Sequence, residues 1–204
     1  FADGYVKRIP GWDAAAAYRA MKRNAYELSD RLDLYGRAGL AEYLRLGYVP
    51  DDAADHSVSR TLDFAYGDWC IAQLAAEFDT PEVRDDLLRR GQNYRHLFDR
   101  EVGFMRARQA DGAWVPGFSP LRWGGPYVEG SVWQCGWAVY HDVAGLIELY
   151  GGTTPFLAKL DELLATPPDF EIGPYRSEIH EMTELAAVDF GQYAHSNQPS
   201  HHIL

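Results

Sequence analysis

Several features are scarce in this sequence of 204 residues, and their scarcity narrows the possible functions. No apolar run approaches the ~18 residues that a membrane-spanning helix needs. Basic residues are few, since 19 Lys and Arg stand against 30 Asp and Glu and give a net charge of −11. Nucleic-acid binding depends on a basic surface that displaces counterions. We therefore expect neither a membrane nor a nucleic acid as a partner.

Motifs of several enzyme classes are also missing. The sequence has no glycine-rich phosphate loop, no Gly-x-Ser-x-Gly elbow and no Cys–His nucleophile signature. Its two cysteines, Cys70 and Cys135, are interpreted as half-buried thiols, although they could pair. No signal peptide is present. The chain begins at Phe1 without Met and ends at Leu204 directly after a dense polar segment, so we expect a piece of a longer protein.

The main pattern in the sequence is the helical spacing of its apolar residues. It predicts helices over 14–28, 38–46 and 58–78, and the last of these is apolar on two sides, which indicates packing on both. Asp68 on this helix would be buried and must have a partner, which favours a structural role. A one-sided outer helix is expected to follow, starting at Thr80-Pro81 with the stripe Val83, Leu87, Tyr94 and Phe98.

The same order recurs further along the chain. An apolar segment over 131–150 leads to Thr154-Pro155, where a second one-sided helix is predicted to begin. An inner helix, a short turn and an outer helix, repeated, are typical of an α/α hairpin array or toroid. A long loop rich in Gly, Pro and Trp separates the hairpins over 103–130, and the periodicity fades after residue 167. The sequence therefore predicts an all-α fold.

Glu129 is the first candidate for chemistry. It precedes Gly130 at the start of an apolar helix, next to a loop whose tryptophans suit the stacking of sugar rings. Burial beside Trp123 and Trp133 would raise the pKa of its carboxyl group, as a general acid for glycoside cleavage requires. The alternative is a glutamate that caps the helix and satisfies its free N–H groups.

The second candidate is the segment 195–202, which reads His-Ser-Asn-Gln-Pro-Ser-His-His. Three imidazoles suggest a metal, but no Cys or carboxylate with zinc-site spacing accompanies them. The amide oxygens of Asn197 and Gln198 are hard ligands, which suit Ca²⁺ better than zinc. The alternative is a hydrogen-bonded turn.

Taken together, these segments resemble the glycoside hydrolase family 92 α-mannosidases. The resemblance is carried by 123–125 with 127–134, by 141–146 and by 191–202, and 57–62 with 66–69 and 103–106 also fit. It covers essentially the whole chain in order. It implies a longer protein with an N-terminal β-sandwich and a C-terminal (α/α)6 toroid. The 204 residues would then be a single fragment, 1–204, of this catalytic toroid.

The resemblance implies a function and a site. Family members are calcium-dependent, inverting exo-mannosidases that remove terminal α-mannosyl units from mannans and N-glycans, and we expect a secreted bacterial parent, extracellular or periplasmic. Glu129 matches the general acid, while Asn197 and Gln198 match residues near the calcium ion. Gln198 replaces the commoner Glu, which removes one negative charge. Trp123, His195 and Ser196 match the sugar site. Ser196 stands where α-1,2-cleaving members tend to carry Glu, so the linkage is open.

Nothing in the sequence matches the family's general base, an Asp in an acidic motif. An inverting enzyme needs two carboxyl groups, so we expect the base beyond Leu204 and an inactive isolated chain. Two other functions stay open: a carbohydrate-binding module that does not cleave, and a helical scaffold or a different α/α toroid enzyme. Exposed faces of the inner helices would favour self-association.

Overall fold

The computed structural model describes residues 1–32 and 34–203, so Leu204 lies outside the described residues. Its regular structure is mostly helical, which confirms the all-α class. The helices are α1 (Ala2–Val6), α2 (Ala14–Tyr26), α3 (Leu40–Leu46), α4 (Ser57–Phe78), α5 (Pro81–Arg90), α6 (Val132–Cys135), α7 (Val143–Leu149), α8 (Thr153–Ala165) and α9 (His180–Val188). Short 3-10 turns cover Asn93–Leu97 and Gln198–Ser200, and β1 (Phe98–Asp99) pairs antiparallel with β2 (Phe104–Met105). Within the described ranges, no helix is both long and apolar enough to cross a bilayer.

The first helical hairpin confirms the sequence prediction. α4 begins one residue before the predicted start and packs against α1, α2 and α5. Its buried side chains enter three separate hydrophobic clusters, with Leu62 in one, Ile71 in another and Phe64 in a third. Such a helix is buried on several sides, as its two apolar stripes predict. Asp13 caps α2 as expected, since its carboxylate accepts the Ala16 N–H at 2.8 Å.

Beyond α4, the structure differs from the prediction in three places. The outer helix α5 ends at Arg90, so the expected stripe does not continue along it to Tyr94 and Phe98. The apolar segment over 131–150 forms two short helices instead of one. The break is fixed by Asp142, which caps α7 by accepting the Gly145 N–H at 2.9 Å and also accepts the Tyr94 hydroxyl at 2.7 Å. α9 is a helix that the fading periodicity did not predict.

Asp68 lies at the centre of the first hairpin and is fully buried. Arg37 donates to one carboxylate oxygen at 2.6 Å, and Arg90 donates to the other at 2.7 Å. The Tyr43 hydroxyl donates to the second oxygen at 3.1 Å. Burial raises the pKa of Tyr43, so its phenol stays protonated and able to donate. The expected structural role of Asp68 is confirmed, because its partners tie α4 to α3, to α5 and to the turn before α3.

Removing this carboxylate should unfold much of the chain. Asp68→Ala leaves two arginines buried without their partner, and breaking a buried ion pair in this way costs about 3–5 kcal/mol. We expect a loss of that size in the free energy of unfolding, measured by urea denaturation of the 204-residue chain. Asp85→Ala, an exposed position on α5, is the matched control and should change it by less than about 0.5 kcal/mol. Equal effects of the two substitutions would contradict the assignment.

Candidate active site

The helix α6 is capped without Glu129. The Ser131 hydroxyl accepts the Trp133 N–H at 3.2 Å, and the Gln134 side-chain oxygen accepts the Ser131 N–H at 2.8 Å. This reciprocal pair is a complete capping box. The interpretation of Glu129 as the helix cap is therefore wrong. Glu129 instead has a left-handed backbone with φ of 49°, which costs a residue with a side chain about 1–2 kcal/mol and persists only where its surroundings hold it.

The Glu129 side chain is exposed, so the expected burial between two tryptophans is wrong. Its carboxylate makes no hydrogen bond or ion pair with any residue in the described part of the chain. The indole of Trp133 is buried instead and packs edge-on against Phe104, with ring centroids 4.7 Å apart. The acid is therefore open to a ligand rather than enclosed by aromatic rings.

Trp123 packs in the hydrophobic core beneath the loop that carries Glu129. Its side chain is fully buried in a cluster with Met182, Leu185 and Ala194. A ring without exposed surface offers no face to a sugar, so the expectation of direct substrate contact by Trp123 is corrected to a supporting role. Gly124 follows with φ of 76°, and a Cβ there would lie 2.7 Å from the Tyr175 ring. Only glycine fits this turn between the core and the exposed acid.

The second candidate segment forms a compact turn. Asn197 is buried, whereas His195, Ser196 and Gln198 are exposed. The Ser200 N–H donates to the Asn197 carbonyl at 3.2 Å. The predicted hydrogen-bonded turn is therefore present, and it leaves three of the four candidate side chains facing solvent.

The structure brings the two candidate segments together. The Asn197 side-chain N–H donates to the backbone carbonyl of Glu129 at 2.5 Å, across 68 residues of sequence. Nearby, the Gln134 side-chain N–H donates to the Gln192 carbonyl at 2.6 Å. The segment that carries Glu129 and the turn at 195–202 are therefore in direct contact.

Ca²⁺ takes six to eight oxygen ligands, and amide oxygens suit it. The side-chain N–H of Asn197 donates to the Glu129 carbonyl, and its side-chain oxygen remains as an acceptor. Gln198, which is exposed, presents a second amide oxygen. In the described residues, no group of three His, Cys, Asp or Glu side chains is placed to hold a metal. The two amides therefore fit one side of a calcium shell, whose other oxygens must come from elsewhere.

Two cavities flank the loop. The larger, of 540 Å³, lies beside Gly124 to Tyr127 and is remote from the turn at 195–202. The smaller, of 170 Å³, lies between Val128 and Pro199 and touches both candidate segments, so we regard it as the one that belongs to the site. Its other walls include side chains that the sequence reasoning missed, namely Ser59, Asp63, Cys135 and Tyr140.

Two of the missed residues, Ser59 and Asp63, come from α4. Desolvation by neighbouring groups raises the pKa of the Asp63 carboxyl, although Asp63 is exposed at the surface and Arg60 opposes the shift. Both residues lie on α4, four positions apart, and such residues share a helix face. The segment 57–62 of the resemblance contains Ser59 but assigned it no role, and Asp63 lies just outside that segment.

Comparisons with known proteins identify the family to which this chain is similar. The sequence model of the glycosyl hydrolase family 92 catalytic domain matches residues 1–204. A solved GH92 inverting mannosidase from Bacteroides thetaiotaomicron is 39% identical over 98% of this chain, with a TM-score of 0.82. A GH92 α-mannosidase from the same organism, solved with mannoimidazole, is 34% identical over 99% of the chain, also with a TM-score of 0.82.

A curated relative from Arthroderma benhamiae, described as an uncharacterized secreted glycosidase, is 28% identical in an alignment 196 residues long that covers 79% of this chain. The chain spans only 27%, 26% and 25% of these three relatives, in the order given. The match over all 204 residues is nevertheless decisive for the family. The chain belongs to the catalytic domain of glycosyl hydrolase family 92, and its helical hairpins are part of that family's (α/α)6 fold.

Proposed function

We propose that this chain supplies the acid side of the active site of a calcium-dependent, inverting exo-α-mannosidase. The observation that carries the proposal is the hydrogen bond from Asn197 to Glu129, because it joins the two segments that the reaction needs. Family membership supports glycoside hydrolysis, and the solved relatives are named as mannosidases.

In the proposed reaction, Glu129 donates a proton to the leaving glycosidic oxygen. Its exposed, unpaired carboxyl group is free to approach a bound glycan. An inverting enzyme also needs a second carboxylate that activates water from the opposite face of the sugar, about 6.5–9.5 Å from the acid. We place this base in the part of the whole protein that follows residue 204, in agreement with the family pattern.

The proposed substrate is a terminal α-mannosyl unit of a mannan or an N-glycan, with α-1,2 as one possible linkage. Support comes from the relative that was solved with mannoimidazole. His195 and Ser196 are exposed in the turn whose Asn197 contacts the Glu129 backbone, and they are proposed to contact the sugar. The secreted relative supports an extracellular or periplasmic parent.

Asn197 and Gln198 are proposed to hold Ca²⁺. When bound, the ion supplies a positive charge that holds sugar hydroxyls and favours distortion of the ring. Asn197 is suited to this role because its hydrogen bond to Glu129 fixes the amide plane before any ion arrives. Gln198 contributes a neutral oxygen where a carboxylate would bind more strongly.

The 204-residue chain alone should not release mannose from mannobiose in the presence of Ca²⁺, whereas the whole protein should. In the whole protein, Glu129→Gln should lower kcat by about 10²–10⁴-fold, the usual contribution of a general acid. Glu27→Gln, an exposed position at the C-terminal end of α2, is the control and should leave kcat unchanged.

Two outcomes would contradict this proposal. One is turnover by the isolated chain that disappears in Glu129→Gln, which would place both carboxyl groups within the 204 residues. The other is full activity of the whole protein carrying Glu129→Gln. Calorimetry with mannose tests the alternative function of a carbohydrate-binding module. Binding by the whole protein without any cleavage would indicate such a module.

Calcium binding should respond to charge at position 198. Gln198→Glu restores a carboxylate ligand, and we expect the dissociation constant for Ca²⁺ to fall at least tenfold, because an added unit charge near a divalent cation is worth more than about 1.4 kcal/mol. Calorimetry on the whole protein, which would supply the remaining oxygen ligands, measures it without any need for activity. Gln109→Glu adds the same charge in a distant turn and should have little effect. Equal affinities of the two variants would argue against the site.

A further inference from the structure

We propose that Ser59 and Cys135 are positioning residues for Glu129, an inference that rests on the proposed role of Glu129 as the general acid. Neither residue is placed to touch the substrate in this role. They act through the backbone of Val128, the residue before the acid.

Both polar groups of the Val128 backbone are bound by side chains. Its N–H donates to the Ser59 hydroxyl at 3.0 Å, and its carbonyl accepts the Cys135 thiol at 3.3 Å. Burial raises the pKa of the Cys135 thiol to about 12, so the sulfur keeps the proton that it donates. The Ser59 hydroxyl also hydrogen-bonds the Cys135 thiol. The two side chains and the Val128 backbone therefore form one connected unit.

Three consecutive peptide planes around the acid are fixed in this way, each by a different part of the chain. Ser59 on α4 holds the plane that ends at the Val128 N–H. Cys135 on α6 holds the plane between Val128 and Glu129. Asn197 in the turn holds the plane after Glu129. Because the planes on both sides of Glu129 are fixed, so is its backbone conformation.

This arrangement matters because the described residues hold Glu129 through its backbone rather than through its carboxylate. The Tyr175 hydroxyl also hydrogen-bonds the Glu129 backbone. The Glu129 carboxylate has no partner among the described residues, and its left-handed backbone is unfavourable for a residue with a side chain. Where the carboxylate lies therefore depends on the backbone that carries it. Loosening one plane should displace the acid relative to the leaving oxygen, and small displacements of a catalytic group are costly.

The test compares two substrates of the whole protein. Mannobiose has a poor leaving group that needs protonation, whereas 2,4-dinitrophenyl α-mannoside has a leaving group that departs without it. In Ser59→Ala, kcat on mannobiose should fall about three- to tenfold, the range expected for one lost hydrogen bond. On the dinitrophenyl substrate kcat should change less than twofold. Ser59→Thr keeps the hydroxyl and should restore the mannobiose rate.

Ser57→Ala is the matched control. The Ser57 hydroxyl donates to Asp51 at 2.7 Å, so this variant also loses a hydrogen bond at the start of α4, but none to the acid loop. It should affect the two substrates equally. Cys135→Ala removes the second contact and, if it folds, should show the same preference for the activated substrate as Ser59→Ala.

Failure of this inference is distinguishable from failure of the proposed function. Glu129→Gln should itself lose activity on mannobiose and largely keep it on the dinitrophenyl substrate. If it does so while Ser59→Ala slows both substrates alike, or neither, then the positioning role is overturned and the acid assignment stands. If Glu129→Gln shows no dependence on the leaving group, the acid assignment fails.

Discussion

A carboxylate that is buried away from water needs hydrogen-bond or ion-pair partners for both of its oxygens, and this requirement determines how the first hairpin is built around Asp68. Arg37, Arg90 and Tyr43 meet it from three directions. The network fixes the rotation of α4 about its axis. Ser59 lies nine residues before Asp68, about two and a half helical turns away, so it points to the opposite side of the helix. Because Asp68 is buried on one side of α4, Ser59 lies on the opposite side, where it contacts the Val128 backbone next to Glu129.

The site itself is held by backbone rather than by side-chain contacts of the acid. A general acid is often enclosed in an apolar pocket, but here Glu129 is exposed and the surrounding peptide groups are what is fixed. Its anchors lie on α4, on α6 and in the turn at Asn197, which are distant in sequence. The helical fold is what brings them together, so the stability of the hairpins and the geometry of the site depend on each other.

Local pattern predicted part of this structure well. The two-sided stripe of α4, the cap of α2 at Asp13 and the partner requirement of Asp68 all follow from short-range rules, and all are confirmed. The break between α6 and α7 depends instead on the contact of Asp142 with Tyr94, 48 residues away. No periodicity within 131–150 contains that information.

For the site, too, local sequence patterns predicted the candidate segments but not the contacts between distant parts of the chain. Sequence placed Glu129 and Asn197 in separate candidate segments but did not predict that they touch. Trp123 looked like a sugar-binding residue because its loop is polar and rich in glycine. It is buried because α9, whose sequence pattern is faint, covers it with Met182 and Leu185. The fold class and the candidate segments were thus predictable, whereas exposure within them was not.

The most direct test of the account is the stereochemistry of the product. Proton NMR can follow the whole protein acting on α-linked mannobiose, whose leaving group needs protonation, and identify the anomer of mannose that appears first, before mutarotation mixes the two forms. An acid at Glu129 working with a separate base predicts β-mannose as the first product, absent when Glu129 is replaced by Gln. Initial release of α-mannose, or release of β-mannose that persists in Glu129→Gln, would contradict the account.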